Sequence, residues 1–182
     1  MISDIDDTIK DTHVRLAGTH TYNPLIVLDS IRPWRAVVGM ASFYKDKKWN
    51  NPGTATVIYV SAARCSVGRR TKLEAFIKNE RFPYGQILLR DADSVVAPHD
   101  YKAKAIRPII AGASAHRFIL VGDSGEFDPE SYAELAREFS DRVEDIYIRI
   151  VSRETDYRFE WAFRGIEKSK IHLLPPTQSA PP

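Results

Sequence analysis

Cysteine is almost absent from this sequence: Cys65 is the only one in 182 residues, so no intramolecular disulfide can form. No Cys-x5-Arg loop starts at Cys65, which removes that thiol route to a phosphoryl-enzyme. The residue reads as structural or incidental, and a reducing compartment is compatible with it. Long apolar runs are also missing. No stretch reaches the roughly 18 residues of a membrane span, and the start shows no leader pattern. A cytoplasmic location follows as the expectation, with at most peripheral contact to a membrane. Excess charge is lacking too. The formal net charge is +2, which argues against broad electrostatic capture of nucleic acid. Basic residues cluster only locally, at Lys45, Lys47 and Lys48 and at Arg64, Arg69, Arg70 and Lys72. Such clusters are either a solvated face or a point of attraction for an anionic substrate or lipid surface.

What is present is an ordinary globular composition, 43% hydrophobic and 27% charged, long enough for one domain with a sizeable core. Apolar runs at 55–60, 86–89, 117–121 and 145–151, rich in Ile, Val, Leu and Tyr, predict buried strands. Ile2 belongs to a fifth. Only Met1, Ile2 and Ser3 precede the acidic motif that should end this strand, fewer than the usual five or six residues, so a truncated first strand is expected. Helical spacing over 71–79 puts Leu73, Phe76 and Ile77 on one side, and over 100–110 aligns Ile106, Ile109 and Ile110, with Pro108 set to kink that helix or end its first part. The pattern over 129–139 repeats at Tyr132, Leu135, Ala136 and Phe139, with Asp128 as a candidate cap and Pro129 suited to the first position.

Strands alternating with helices predict an α/β class, a Rossmann-like three-layer fold with a parallel sheet covered on both faces. Residues 10–50 are too many for a simple crossover, so a small insertion over roughly 11–38 and a helix at 39–48 are expected within a domain spanning 1–172. The final segment, 173–182, carries four prolines and reads as a disordered tail.

In open parallel sheets ligands sit at the carboxyl ends of the strands. Polar or Gly-rich residues stand where each apolar run stops. Asp4-Ile5-Asp6-Asp7-Thr8 comes first. At a strand end Asp4 can face a metal and a phosphorus atom, as a carboxylate nucleophile requires. Asp6 can reach the leaving oxygen, protonate it, and later deprotonate water. Taken alone, the motif reads equally as an acidic surface loop or a helix cap.

Gly122-Asp123-Ser124-Gly125-Glu126-Phe127-Asp128 follows another apolar strand. Mg²⁺ takes oxygen ligands, and Asp4, the backbone carbonyl of Asp6 and Asp123 can supply them, with Asp128 supporting through waters or capping the next helix. Ser61 can donate to a phosphate oxygen, assisted by the N–H of Ala62, although Ser after a strand is commonly a turn residue. Lys102 can neutralise phosphate and the Asp4 carboxylate, with Lys104 competing for that role. The order of acidic pair, Ser, Lys and acidic Gly loop is more specific than any member. A receiver-like phospho-acceptor would place its Lys late, whereas here Lys102 precedes Asp123.

These ordered motifs resemble the haloacid dehalogenase superfamily, with its Asp-x-Asp-x-Thr, Ser or Thr, Lys and acidic motifs. Whole segments at 3–10, 32–40, 59–62, 82–91 and 117–134, with Ile146-Tyr147-Ile148-Arg149, are similar to the actin-patch-associated phosphatidate phosphatase family. That resemblance implies Mg²⁺-dependent conversion of phosphatidate to diacylglycerol and phosphate. It implies Asp4 as nucleophile, Asp6 as acid/base, Ser61, Ala62 and Lys102 as phosphate binders, and Asp4, Asp6 and Asp123 around the metal, supported by Thr8 and Asp128. Lys102 is preferred to Lys104 because the family's Lys precedes an Ile by four positions, as Lys102 precedes Ile106. Departures lie in Ala63-Arg64-Cys65, in Ile150 and in the loop 91–99, where substrate choice is set. The alternatives are a phosphatase acting on a soluble phosphomonoester and a non-catalytic phosphate-binding module.

Overall fold

A computed structural model describes residues 1–12, 33–50, 56–151 and 156–176, with the side chains of 48–50 left aside. Six strands form one parallel sheet: β1 (Ile2–Asp4), β4 (Val57–Arg64), β5 (Gly85–Arg90), β6 (Phe118–Asp123), β7 (Val143–Arg149) and β8 (Ile171–Leu174). Their spatial order is β5-β4-β1-β6-β7-β8, and every pairing is parallel. A separate antiparallel ribbon joins β2 (Lys10–Asp11) to β3 (Arg35–Ala36).

Alternation along each strand sorts the apolar side chains onto two faces. On one face Val57 and Tyr59 of β4, Ile119 and Val121 of β6 and Tyr147 of β7 join one core. It is covered by α1 (Met40–Asn50) through Met40 and Tyr44 and by α2 (Val67–Asn79) through Leu73, Phe76 and Ile77. On the other face Ile2, Val60, Phe118, Leu120, Ile146 and Ile148 meet α3 (Pro98–Gly112), α4 (Asp128–Glu138) and α5 (Asp156–Ala162). A fully buried Leu or Ile of this kind contributes about 1.5–3 kcal/mol. The result is the expected three-layer α/β architecture.

The expected elements shift at their ends. β4 does not stop at Val60; it carries Ser61 and Ala62 and runs to Arg64 across a register shift, because β5 keeps pairing beside it. α3 continues past Pro108 to Gly112, so Pro108 does not end the helix. Asp128 is not the cap of α4: Phe127 holds the cap position without a side-chain bond, and Asp128 lies inside the first turn. Its oxygens are taken by Lys102 and by the Asp123 N–H instead. Leu173 and Leu174, expected in the tail, form the end of an edge strand paired to β7. The ribbon β2–β3 occupies the two ends of the expected insertion; 13–32, and the tail from 177, lie outside the described residues.

Candidate active site

The chain builds β4 and β5 on one side of β1, then returns to β6, β7 and β8 on the other. The order therefore reverses between β1 and β6, and a crevice forms at the carboxyl ends of those two strands. Asp4 ends β1 and Asp123 ends β6. Both are 1% exposed. Asp128 joins them from the first turn of α4, and one oxygen from each of the three carboxylates lies within 4.8 Å of the others.

Like charges this close need a cation. Lys102, in the second turn of α3, provides one. Its Nζ lies 2.7 Å from Asp4 Oδ1 and 3.3 Å from Glu126 Oε2, and it donates to Asp128 Oδ1. Lys104 points to solvent and pairs with Asp100. The geometry thus separates the two candidate lysines. Burial disfavours the Lys102 ammonium, but Asp128 and Asp4 outweigh it and hold its pKa well above the ordinary value. Burial pushes the Asp4 and Asp123 carboxyls well above the usual carboxylate range; Lys102 offsets this only in part, and neighbouring carboxylates add to it.

Among the described residues, one oxygen of the aspartate triad remains unmatched. Asp123 Oδ1 accepts from the Gly125 N–H, whereas Asp123 Oδ2 is buried without a hydrogen-bond partner. A buried oxygen in that state costs about 1–3 kcal/mol. Beside two further carboxylates it fits a ligand to a hard cation. The backbone is shaped around the same point. A Cβ on Gly122 would overlap the Asp128 carboxylate, and one on Gly125 would overlap Asp123 Oδ1. These glycines are required for close approach.

The Asp4 carboxylate is held at both ends, by Lys102 on Oδ1 and by the Thr8 hydroxyl on Oδ2 at 2.9 Å. Asp6 sits in the turn after β1. Ser61 donates to its Oδ2 at 2.8 Å, and Lys10 Nζ lies 3.0 Å from its Oδ1. Burial alone would raise the Asp6 pKa, but the charge and hydrogen bond of Lys10 and the Ser61 hydroxyl outweigh it and lower it. Asp7 takes the left-handed conformation that turns the chain here, φ 54°, and Arg149 at the end of β7 donates to its carbonyl. The Ala62 carbonyl accepts from Arg90 Nε at 2.9 Å, which fixes the strand end beside Ser61.

A cavity of about 260 Å³ opens on this cluster, lined by Pro98, His99, Lys102, Glu126, Phe127 and Asp128 among others. All of the sequence-selected residues, Asp4, Asp6, Thr8, Ser61, Ala62, Lys102, Asp123 and Asp128, stand at this end of the sheet. Three were not selected. Lys10 lies inside the first motif, four residues after Asp6, and that spacing was the available signal. Glu126 belongs to the acidic Gly loop. Arg158 on α5 forms a two-pronged pair with Glu130, 2.8 and 2.9 Å, and donates to the Ser124 and Glu126 carbonyls. Its distance along the chain from that loop hides the contact in the sequence.

A three-layer domain built on a parallel six-stranded sheet buries three aspartates and a lysine at its switch point, a carboxylate set that could hold a metal ion. The chain belongs to the family described as "Phosphatidate phosphatase APP1, catalytic domain", whose model it matches over residues 1–150. It is 30% identical over 158 residues to phosphatidate phosphatase APP1 of Saccharomyces cerevisiae, a match covering 84% of this chain and 26% of that protein. It is 29% identical over 157 residues to an uncharacterised protein of Schizosaccharomyces pombe, covering 83% and 25%. The chain thus spans about a quarter of the length of these relatives. No solved structure matches it significantly. No described helix is long and apolar enough to cross a membrane.

Proposed function

We propose that the domain hydrolyses phosphatidate to diacylglycerol and phosphate, with Mg²⁺, through an aspartyl-phosphate on Asp4, by the chemistry of the haloacid dehalogenase superfamily. The observation that carries this reading is the convergence of Asp4, Asp123, Asp128 and Lys102 at the switch point, in a member of a phosphatidate phosphatase family.

Asp4 and Asp123, with the Asp6 carbonyl, would hold Mg²⁺, which when bound supplies positive charge to the phosphoryl oxygens and the carboxylates. The protein's own groups do the rest. Lys102 and Thr8 hold the Asp4 carboxylate by both oxygens, so one rotamer faces the incoming phosphorus. The Asp4 oxygen bonds to phosphorus as the bond from phosphorus to the glycerol oxygen breaks. Asp6 gives that oxygen its proton. Lys10 and Ser61 lower the Asp6 pKa, and an arriving phosphate dianion favours its protonated form. Diacylglycerol leaves. A water then attacks the aspartyl-phosphate, Asp6 takes its proton, and phosphate departs with Asp4 restored. Lys102 and Ser61 lie where they can neutralise and orient the phosphoryl oxygens.

The cavity of about 260 Å³ suits a phosphoglycerol head and leaves acyl chains outside, in the lipid surface from which a phosphatidate would be drawn. The same size would admit a soluble phosphomonoester, so a substrate panel is the deciding test. Purified protein should release phosphate from phosphatidate in detergent micelles with Mg²⁺ and stop in EDTA, with sugar and nucleotide phosphates turned over far more slowly. A clear preference for the soluble esters rejects the lipid assignment.

A further inference from the structure

Two lysines are buried among the described residues, Lys102 and Lys10. Lys102 serves the aspartate triad. Lys10 lies outside it, at 1% exposure, on the first strand of the β2–β3 ribbon. A buried ammonium needs nearby compensation, since its loss of hydration is severe. Asp6 and Trp34 are among the groups that supply it. Asp6 Oδ1 is 3.0 Å from Nζ, and the ring of Trp34 lies 4.1 Å away by its centroid. Trp34 immediately precedes β3, the partner of β2 in the ribbon. Its ring also meets the Lys72 ammonium at 4.3 Å and the edge of Phe76 at 6.1 Å, both on α2. A continuous series of contacts therefore runs from α2 through Trp34 and Lys10 to the Asp6 carboxylate. On the far side of that carboxylate stands Ser61, 2.8 Å from Oδ2.

We propose that Lys10 is a positioning residue for leaving-group protonation, fixing the Asp6 carboxylate against Ser61, and that Trp34 ties this constraint to the β2–β3 ribbon and α2. The proposal rests on the reading of Asp6 as acid and base. A general acid acts only when its oxygen is aimed at the departing atom, and a carboxyl free to turn loses that geometry. The glycerol alkoxide of phosphatidate needs a proton in order to leave. The p-nitrophenolate of p-nitrophenyl phosphate leaves without one. Mispositioning Asp6 therefore slows formation of the aspartyl-phosphate from the first ester selectively, whereas general damage to the site slows that step with both; the later attack of water, where Asp6 is the base, is common to the two esters.

The test compares Lys10→Met, Trp34→Leu and Asp6→Asn, singly and as the Lys10→Met/Asp6→Asn pair, on the two esters. In single turnovers Lys10→Met should slow aspartyl-phosphate formation from phosphatidate by about tenfold or more and leave the p-nitrophenolate burst rate within about threefold of wild type, while steady-state kcat falls on both esters. Adding it to Asp6→Asn should cost nothing further, since both act on one group. Trp34→Leu should show the same selectivity in smaller measure, and it carries the test should Lys10→Met not fold. Equal losses in the single-turnover rate with both esters, or additive losses in the pair, overturn the proposal. A crystal structure of Lys10→Met reads the point without turnover: the Asp6 carboxylate should leave Ser61, and an Asp6–Ser61 bond kept at 2.8 Å overturns the proposal. If wild type releases phosphate from neither ester, the phosphatase reading fails and that structural result alone decides the role of Lys10.

Discussion

Replacing Asp123 by Asn should stabilise the protein when no divalent cation is present. The substitution keeps shape and volume, and the side-chain oxygen that accepts from the Gly125 N–H is retained. It changes the other oxygen, Oδ2, which is buried and unpartnered. An NH₂ group there places donors beside the triad, in which one oxygen each of Asp4, Asp123 and Asp128 lies within 4.8 Å of the others. Relief of a buried unpaired oxygen is worth about 1–3 kcal/mol. Removal of one negative charge from a crowded buried set acts in the same direction, as the raised Asp123 pKa implies. At roughly 2–4 °C per kcal/mol for a domain of this size, Tm in EDTA should rise by about 2–12 °C. Magnesium should reverse the ranking. Wild type gains about 1.4 kcal/mol for each tenfold excess of free cation over its Kd, whereas a site missing one carboxylate does not. Urea or thermal unfolding at pH 7, across a Mg²⁺ series from EDTA upward, measures both effects. A variant less stable than wild type in EDTA, or one with the same Mg²⁺ response, would refute the assignment of Oδ2 as a cation ligand.

Asp4→Asn should reduce phosphate release by at least about 10³-fold with an unchanged far-UV spectrum, and retention of most activity would remove Asp4 as nucleophile. Lys102→Met leaves buried carboxylates without their cation and should cost about 3–5 kcal/mol in urea unfolding; a loss under about 1 kcal/mol contradicts the buried ion-pair picture. Gly122→Ala drives a methyl into the Asp128 carboxylate and should destabilise by about 1–3 kcal/mol while weakening Mg²⁺ binding, as calorimetry can show. Burial holds the Tyr44, Tyr59 and Tyr132 hydroxyls above their ordinary pKa. Their folded values exceed the unfolded value of about 10, so this stability is intact below pH 10 and is lost as pH rises beyond it. The raised Lys102 value acts in the same window. Tm should therefore fall steeply above about pH 10, and a flat Tm through pH 11 would show these groups to be less buried than described.

The layers of the fold were legible because the strands are apolar and the helices carry spaced apolar residues. Phe118 to Val121 and Ile146 to Ile148 have nowhere to go but between two helical layers. The site was legible because its residues follow the strands in order. What was missed depends on partners distant in sequence. Ile171–Leu174 is a short edge strand beside two prolines, and only pairing with β7 reveals it. Asp128 looked like a cap because it precedes a proline at a helix start; the lysine that claims it lies 26 residues upstream. Lys10 stands in the sequence only as the last residue of the 3–10 segment, since nothing local announces that Trp34 folds back over it.

The central position of β1 has a consequence for how the domain matures. Ile2 aligns with Ile58 on one side and with Leu120 on the other. β1 gains its second neighbour only when β6, more than a hundred residues further along the chain, docks beside it. Loop closures of that span are slow. Slow hydrogen exchange at the amides of Ile2–Asp4 would therefore report the docking of β4 and β6 together rather than the formation of β1 alone.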